Sequence, residues 1–208
     1  MNPSSHLVAK LRALLEAVRT SDLDQAQANG VDLDGIAADL HSHTDALTPF
    51  SVDGMRAQFG LREEDVRTDP DRIKRYADGE IVDLWPYSPI TGDLNPVAPP
   101  IRMWRDGTGV RGAGRIPTSL NGPPNGVHGG FVAAALDELL GLAGVVAGAG
   151  GFTGTLTVRY LKLTPIDTDL DFEAHVQSVD GRKVTTTGSV SANGELCATA
   201  EAIFIRPA

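Results

Sequence analysis

Residues 127–151, VHGGFVAAALDELLGLAGVVAGAGG, form the most apolar stretch of the chain, and an acid pair, Asp137 and Glu138, lies in its middle. The stretch is long enough to suggest a membrane span, but no Lys or Arg between Arg115 and Arg159 flanks it closely. It therefore predicts a buried helix in a soluble protein. Because an isolated buried carboxylate normally changes its pKa or finds a partner, the two acids need an explanation.

The residues around this helix have the pattern of strands. Apolar and polar residues alternate over 170–176, and the dipeptides Asp106-Gly107, Asp180-Gly181 and Asn193-Gly194 are typical of hairpin turns. We expect an antiparallel sheet that wraps around one helix, which is an α+β fold. The predicted strands are 101–104, 109–116, 155–163, 170–179, 183–192 and 195–206.

The amino-terminal part of the chain has a different pattern. Leu7, Leu11 and Leu14 recur at helical spacing, without the uninterrupted apolar run of a signal peptide. Residues 1–80 are predicted to form an α-helical extension, and residues 81–208 the sheet-containing domain.

The composition excludes several classes of function. The 208 residues carry a formal net charge of −9, which disfavours binding to nucleic acids or anionic membranes. A single cysteine, Cys197, excludes an intramolecular disulfide and a multi-cysteine zinc site, and it is compatible with a reducing cytoplasm. We expect a cytoplasmic protein without a metal ion.

Four short motifs have a more ordinary interpretation in their sequence context. DLHSHTD (39–45) resembles a His-x-His metal site, but its surroundings favour a solvated helix face. GTGVRG (107–112) matches a dinucleotide-binding pattern, yet it continues into a loop instead of a helix, so it predicts a hairpin turn. GAGGFTG (148–154) is interpreted as a helix stop and flexible turn. Cys197 is interpreted as a small core residue.

The loop GPPNGVHGG (122–130) leads directly into the apolar helix. The N–H groups of Gly129 and Gly130 should be unpaired, and a helix N-terminus stabilises a developing oxyanion. The glycines could instead only allow the helix to start against the sheet. An acid in the helix could be a general base or nucleophile, or one acid could accept a structural hydrogen bond at a subunit contact while the other is solvated.

Helix geometry adds a constraint on how these groups cooperate. Gly129 and Asp137 are separated by eight residues, or roughly 12 Å of helix at about 1.5 Å per residue. The two groups of one helix therefore cannot both lie near one carbonyl. If they cooperate, the N-terminus of a second copy's helix approaches the middle of the first, and the protein is at least a dimer.

Three segments together resemble a known family, the hotdog-fold acyl-CoA thioesterases of the phenylacetate-pathway (PaaI-like) type. They are GPPNGVHGGFVAAALDELLG, TGTLTVRYLKLTPI and VDGRKVTTTGSVSANGELCATAEAIFI, within residues 120–205. A fourth segment, LNPVAPPIRM (94–103), also resembles the upstream segment of some members. The specific feature is His-Gly-Gly with an acid nine residues after the histidine. The resemblance implies a hotdog fold, a long helix wrapped by an antiparallel sheet, and a homodimer or a dimer of dimers whose sheets join edge to edge.

The resemblance also implies roles for individual residues. Asp137 matches the catalytic acid, Gly129 the oxyanion donor, His128 the residue that opens the helix, and Thr153 the hydroxyl that helps to place acid or water. Glu138 is the less probable base, because the family acid is the first of the pair. A polar residue upstream of the histidine also belongs to the family site, and Asn121, Asn125 and Gly130 are the nearby candidates for substrate contacts.

These features predict hydrolysis of an acyl or aryl thioester of coenzyme A, with no cofactor beyond the coenzyme A of the substrate. Asp137 would activate water or attack directly. The alternatives are a hotdog dehydratase or hydratase, which uses a catalytic histidine in a different motif, and a non-catalytic acyl-thioester binder. The candidate cations for the coenzyme A phosphates are Arg159, Lys162, Arg182 and Lys183.

Overall fold

The computed structural model of the protein describes residues 3–51, 77–80, 82 and 84–207. Predictions for residues 52–76, in the second half of the expected extension, lie outside the described residues. The helices of the amino-terminal part are α1 (Pro3–Thr20), α2 (Leu23–Ala28) and α3 (Leu33–Leu47), followed by a 3-10 helix (Thr48–Phe50).

Aspartate caps set the starts of α2 and α3. Asp22 accepts the Gln25 N–H at 3.0 Å, and Asp32 accepts the Gly35 N–H at 2.9 Å, which satisfies donors that have no partner within the helix. The two histidines of the DLHSHTD motif lie exposed on α3. This agrees with the interpretation of that motif as a solvated helix face.

Helix α1 is held against the rest of the protein by half-buried polar contacts. The Arg12 guanidinium donates to the carbonyls of Gly92 and Asn95 at 2.7 and 2.9 Å. The Glu16 carboxylate accepts the Ser119 N–H at 3.2 Å. Contacts therefore cross the predicted boundary at residue 80, and the division into two domains stays a prediction.

The apolar stretch forms helix α4 (Gly129–Val146). By length and composition α4 is the one helix among the described residues that could span a membrane. Its apolar face is covered by the sheet, and Leu136, Leu139 and Leu140 have no exposed surface. The prediction of a core helix is confirmed. Gly148, with φ +73°, ends the helical segment in the left-handed conformation that favours glycine.

Six antiparallel strands form one sheet in the order β1-β2-β4-β5-β6-β3. Their bounds are β1 (Ile101–Asp106), β2 (Gly109–Gly114), β3 (Phe152–Tyr160), β4 (Leu170–Asp180), β5 (Lys183–Ala192) and β6 (Glu195–Ile205). Strand β3 starts three residues earlier than predicted, because the glycine-rich turn after α4 is shorter than its composition suggested. It also ends three residues earlier, at Tyr160.

The sheet wraps α4 with the alternation that the sequence predicted. Inward residues of β4, Leu170, Phe172 and Ala174, are buried between exposed neighbours. Cys197 is also buried, as expected for a core residue. Strand β3 lies at one edge and bonds to β6 only, so most of its residues are exposed. The site residues lie along this edge.

Candidate active site

The loop before α4 is held in place by backbone hydrogen bonds. The Gly122 N–H donates to the Gly126 carbonyl at 2.9 Å, and the His128 N–H donates to the Leu120 carbonyl at 3.0 Å. Asn125 has φ +61°, a left-handed conformation that asparagine tolerates, and its carbonyl accepts the Ile166 N–H. The start of α4 is therefore fixed from both sides.

The N-terminus of α4 presents one free amide. His128 is the N-cap, and its Nδ1 accepts the Gly130 N–H at 3.0 Å, so the expectation of a free amide at Gly130 is wrong. The Gly129 N–H has no hydrogen-bond partner within the described part of the chain. The Tyr160 hydroxyl donates to the Gly129 carbonyl at 2.8 Å, which fixes this peptide against β3. A single donor remains available to a ligand.

Asp137 lies in the middle of α4 and is partly exposed. Its Oδ1 accepts a hydrogen bond from the Thr153 hydroxyl at 3.0 Å. The contact joins helix and edge strand, and it holds the carboxylate in one orientation. The structure thus brings together two of the residues that sequence reasoning assigned to the catalytic group.

A β-bulge explains why Thr153 faces the helix. Thr153 pairs with Phe204 and Thr155 with Ile203, so β3 has one residue more than β6 at Gly154. Without this extra residue, Thr153 would point to the same outer face as Thr155. A Cβ at Gly154 would lie 3.1 Å from Ile205 Cγ1, tighter than an ordinary contact, so the bulge is suited to glycine.

Glu138, the second acid, is half-buried, and its carboxylate is hydrogen-bonded to two hydroxyls of the protein. The Ser88 hydroxyl donates to its Oε1 and Oε2 at 2.6 and 2.7 Å, and the Thr91 hydroxyl also donates to Oε1. Burial raises the pKa of Glu138 above its usual range, and the two hydroxyl donors oppose that rise. Glu138 therefore anchors the irregular segment 84–100 to α4. The partners for this structural role come from within one chain.

A cleft of about 380 Å³ opens beside Asp137 and Thr153. Its walls come from α4, from the start of β3, from the end of β6 and from the segment 84–100. The apolar side chains that line it are Trp85, Val145, Phe152 and Phe204. A carboxylate beside an apolar cleft is an arrangement suited to chemistry on an apolar molecule.

The other predicted substrate-binding residues are dispersed around the edge strand. Arg159 is exposed on β3, and Lys162 forms a salt bridge with Glu195 at 3.0 Å. Arg182 donates to the Arg206 carbonyl at 2.9 Å. Lys183 pairs in register with Ile205, whose other neighbour is Phe152, so it lies at the same end of the sheet as Thr153.

Asn121 lies next to the helix-opening loop. It bridges to Val127, and its Oδ1 accepts from Arg19 at 3.5 Å. Arg159 and Lys162 belong to the end of β3 near Gly129, whereas Arg182 and Lys183 belong to the end near Asp137. No single surface of one chain collects all of the predicted residues.

The chain is similar to several known proteins. No protein-family model matches the sequence. The crystal structure of protein RHA08564, described as a thioesterase superfamily protein, superposes with a TM-score of 0.78 at 26% identity, covering 98% of this chain and 91% of that one.

Two curated acyl-coenzyme A thioesterases match shorter segments. THEM4 of Xenopus laevis is 33% identical over 89 residues, which are 42% of this chain and 40% of that protein. Human THEM5 is 34% identical over 65 residues, which are 31% of this chain and 26% of that protein. The matched part therefore spans less than half the length of either curated relative.

A long helix wrapped by one antiparallel sheet is the arrangement of the hotdog fold. The superposition on the thioesterase superfamily protein agrees with this assignment. The chain is therefore similar in fold, over nearly its whole length, to a thioesterase superfamily protein, and over part of its length to curated acyl-coenzyme A thioesterases.

Proposed function

We propose that the protein is an acyl-CoA thioesterase, which hydrolyses a thioester of coenzyme A to a free acid and a thiol. The observation that carries this proposal is the Asp137 carboxylate, fixed by the Thr153 hydroxyl at 3.0 Å beside an apolar cleft. The free Gly129 amide supplies the second element of acyl transfer, a donor for a developing oxyanion. The names of the curated relatives support the same activity.

Two routes are open to the carboxylate. As a general base, Asp137 takes a proton from water, the water oxygen bonds to the thioester carbon, and the C–S bond breaks to release the thiol. As a nucleophile, Asp137 bonds to that carbon and expels the thiolate first. Water then cleaves the mixed anhydride, which regenerates the carboxylate, and the proton released from the water converts the thiolate to the thiol. In both routes negative charge develops on the carbonyl oxygen, where the Gly129 N–H donates.

The separation of these groups supports a site formed by two chains. Asp137 and Gly129 of one helix are about 12 Å apart along its axis, at about 1.5 Å per residue. They also contact opposite ends of β3, at Thr153 and Tyr160. Antiparallel pairing of this exposed edge with a second copy places the Thr153 end of one strand near the Tyr160 end of the other. We propose a homodimer, alone or within a dimer of dimers.

This pairing also brings the dispersed cations closer. The pair near Gly129 of one chain, Arg159 and Lys162, would approach the pair near Asp137 of the other, Arg182 and Lys183. Because the chain has a formal net charge of −9, the coenzyme A phosphates need such local cations. The lone buried cysteine is compatible with the proposed cytoplasmic location.

Thiol release from a panel of acyl-CoA and aryl-CoA thioesters tests the function. We expect turnover of at least one member by the wild type without added metal. Hydration of an enoyl-CoA, followed by its absorbance, without thiol release would support the dehydratase or hydratase alternative. Binding without either reaction would support the non-catalytic binder. Sedimentation analysis, with twice the 21.9 kDa chain mass or a multiple of that value expected, tests the assembly.

A further inference from the structure

Trp85 is a prominent apolar side chain in the Asp137 cleft, and it comes from outside the segments that resemble the family. It belongs to the irregular segment 84–100 and precedes all of these segments in the chain. Its ring is partly buried against the core and lines the cleft together with Asp137 and Thr153. The irregular segment thus completes the cleft beside the acid.

The second acid of α4 fixes the position of Trp85. The Trp85 carbonyl accepts the Ser88 N–H at 3.0 Å. The Ser88 side chain, with 0% exposure, donates to both oxygens of Glu138 at 2.6 and 2.7 Å. A short turn anchored on a half-buried carboxylate therefore carries the ring, which limits the freedom of the ring to move away.

A glycine on α4 lets the ring approach the helix. Gly141 follows Glu138 by one turn, and a Cβ there would lie 3.8 Å from Trp85 Cη2 and 3.3 Å from Phe204 Cε1. The two aromatic rings therefore lie over a helix position that has no side chain. Any side chain at residue 141 would extend into the space between them.

The size and charge of the cleft restrict what it can hold. Its volume of about 380 Å³ is near the lower end of the roughly 300–1,000 Å³ typical of small-molecule sites. Its ionisable side chains, Asp137 and Glu138, are both acids, which disfavours a negatively charged acyl group. The remaining walls are mainly apolar, so an uncharged acyl group of limited size fits.

We propose that Trp85 is a specificity-determining residue that limits the size of the acyl group bound beside Asp137. This inference rests on the proposed thioesterase function. The ring forms one wall of the cleft, and its removal would lengthen the space available to an acyl chain. Glu138 and Gly141 act through Trp85, the first by anchoring its turn and the second by making room for the ring.

The binding of S-alkyl-CoA thioethers of increasing chain length tests the proposal. Thioethers lack the carbonyl and are not hydrolysed, so their dissociation constants, measured by calorimetry, do not depend on turnover. For the wild type we expect affinity to rise with chain length and then to stop rising. Trp85→Ala should extend this limit to longer chains, with a gain in affinity of about ten-fold for two further methylene groups.

The chain offers a matched control, since it has two tryptophans. Trp104 lies on β1 at the opposite edge of the sheet from β3. Trp104→Ala should therefore leave the limit unchanged. An identical limit in wild type and Trp85→Ala would overturn the proposal, and so would equal shifts in the two tryptophan variants.

Two further variants cover the case in which Trp85→Ala does not fold. Gly141→Ala should shift the limit to shorter chains, because its methyl group enters the cleft. In Trp104→Phe, where Trp85 is the one remaining tryptophan, the thioether should change the fluorescence emission, and in Trp85→Phe it should not. The proposal would be contradicted if Gly141→Ala left the chain-length limit unchanged and the thioether left the fluorescence of Trp104→Phe unchanged. Binding limited by Trp85 in a protein that releases no thiol would refute only the proposed hydrolysis.

Discussion

Asp137 and Glu138 are neighbours on one helix and line the same cleft, yet their hydrogen-bond partners differ. Asp137 accepts one hydrogen bond, from Thr153, and faces an open cleft. Glu138 is half-buried and accepts from both Ser88 and Thr91. Successive residues of an α-helix point about 100° apart, so one step along the chain separates the two environments.

The difference shows how two similar acids on one helix can have distinct functions. A general base or nucleophile needs an oxygen that water or substrate can reach. The oxygens of Glu138 are directed at hydroxyls within the protein, whereas Asp137 keeps access to the cleft. The hydrogen-bond partners of the two carboxylates therefore divide the pair into a candidate catalytic residue and an anchor.

The largest expected effect is the loss of turnover in Asp137→Asn. The amide keeps the shape of the side chain and can still accept from Thr153, but it can act neither as base nor as nucleophile. We expect kcat for thiol release to fall by about 100-fold or more, with an unchanged unfolding temperature. Near-normal turnover by the folded variant would remove Asp137 from the mechanism.

Glu138→Ala should affect stability more than chemistry. It leaves the buried hydroxyls of Ser88 and Thr91 without their acceptor, which should lower the free energy of unfolding by about 2 kcal/mol. Urea unfolding measures this change, with exposed Glu201→Ala as the control that should stay within about 0.5 kcal/mol of wild type. Equal losses in the two variants would contradict the anchoring role.

Thr153→Ala should lower kcat by about ten-fold, which corresponds to one hydrogen bond of roughly 1.4 kcal/mol. The hydroxyl orients the carboxylate and does not hold the acyl group, so KM should change less than kcat. Thr153→Ser keeps the hydroxyl and should recover most of the rate. An effect confined to KM would assign Thr153 to substrate binding.

The smallest expected effect is a pH dependence of stability at Glu138. Burial raises its pKa above the ordinary 4.5, so the folded state favours the protonated acid. Its contribution to stability is then greatest below pH 4.5 and is lost as the pH rises through the folded-state pKa. As the pH is raised from 4 to 7, the unfolding free energy of wild type should fall relative to that of Glu138→Gln, whose side chain stays neutral. A constant difference over this range would show that the carboxyl is not perturbed.

Much of the fold could be predicted because its signals are local. The apolar stretch 129–146 and the alternation of 170–176 each reflect burial of one face by nearby residues, and the Asp-Gly and Asn-Gly dipeptides mark the turns. The placement of Asp137 on a core helix followed directly. Its role as the acid of the site stays a prediction from the resemblance.

Other features could not be predicted because they depend on contacts between distant parts of the chain. Ser88 and Glu138 are 50 residues apart, and nothing in either local pattern indicates that they meet. The bulge that turns Thr153 inward depends on how β3 pairs with β6. His128 captures the Gly130 amide through its side-chain rotamer, which sequence spacing does not specify.

The central claim is that Asp137 of one chain acts with the Gly129 amide of another, and mixing two inactive variants tests it most directly. Asp137→Asn keeps the amide, and Gly129→Val keeps the acid but obstructs the amide. A Cβ at residue 129 would lie 3.5 Å from Tyr160, an ordinary contact, so folding should survive.

Each homodimer should be nearly inactive, whereas a mixed dimer contains one site with an intact acid and an intact amide. Refolding the two variants together should restore up to about a quarter of wild-type thiol release, since about half of the dimers are mixed and each has one good site. Heterodimers demonstrated by differential tags, but without recovered thiol release, would contradict a site shared between chains.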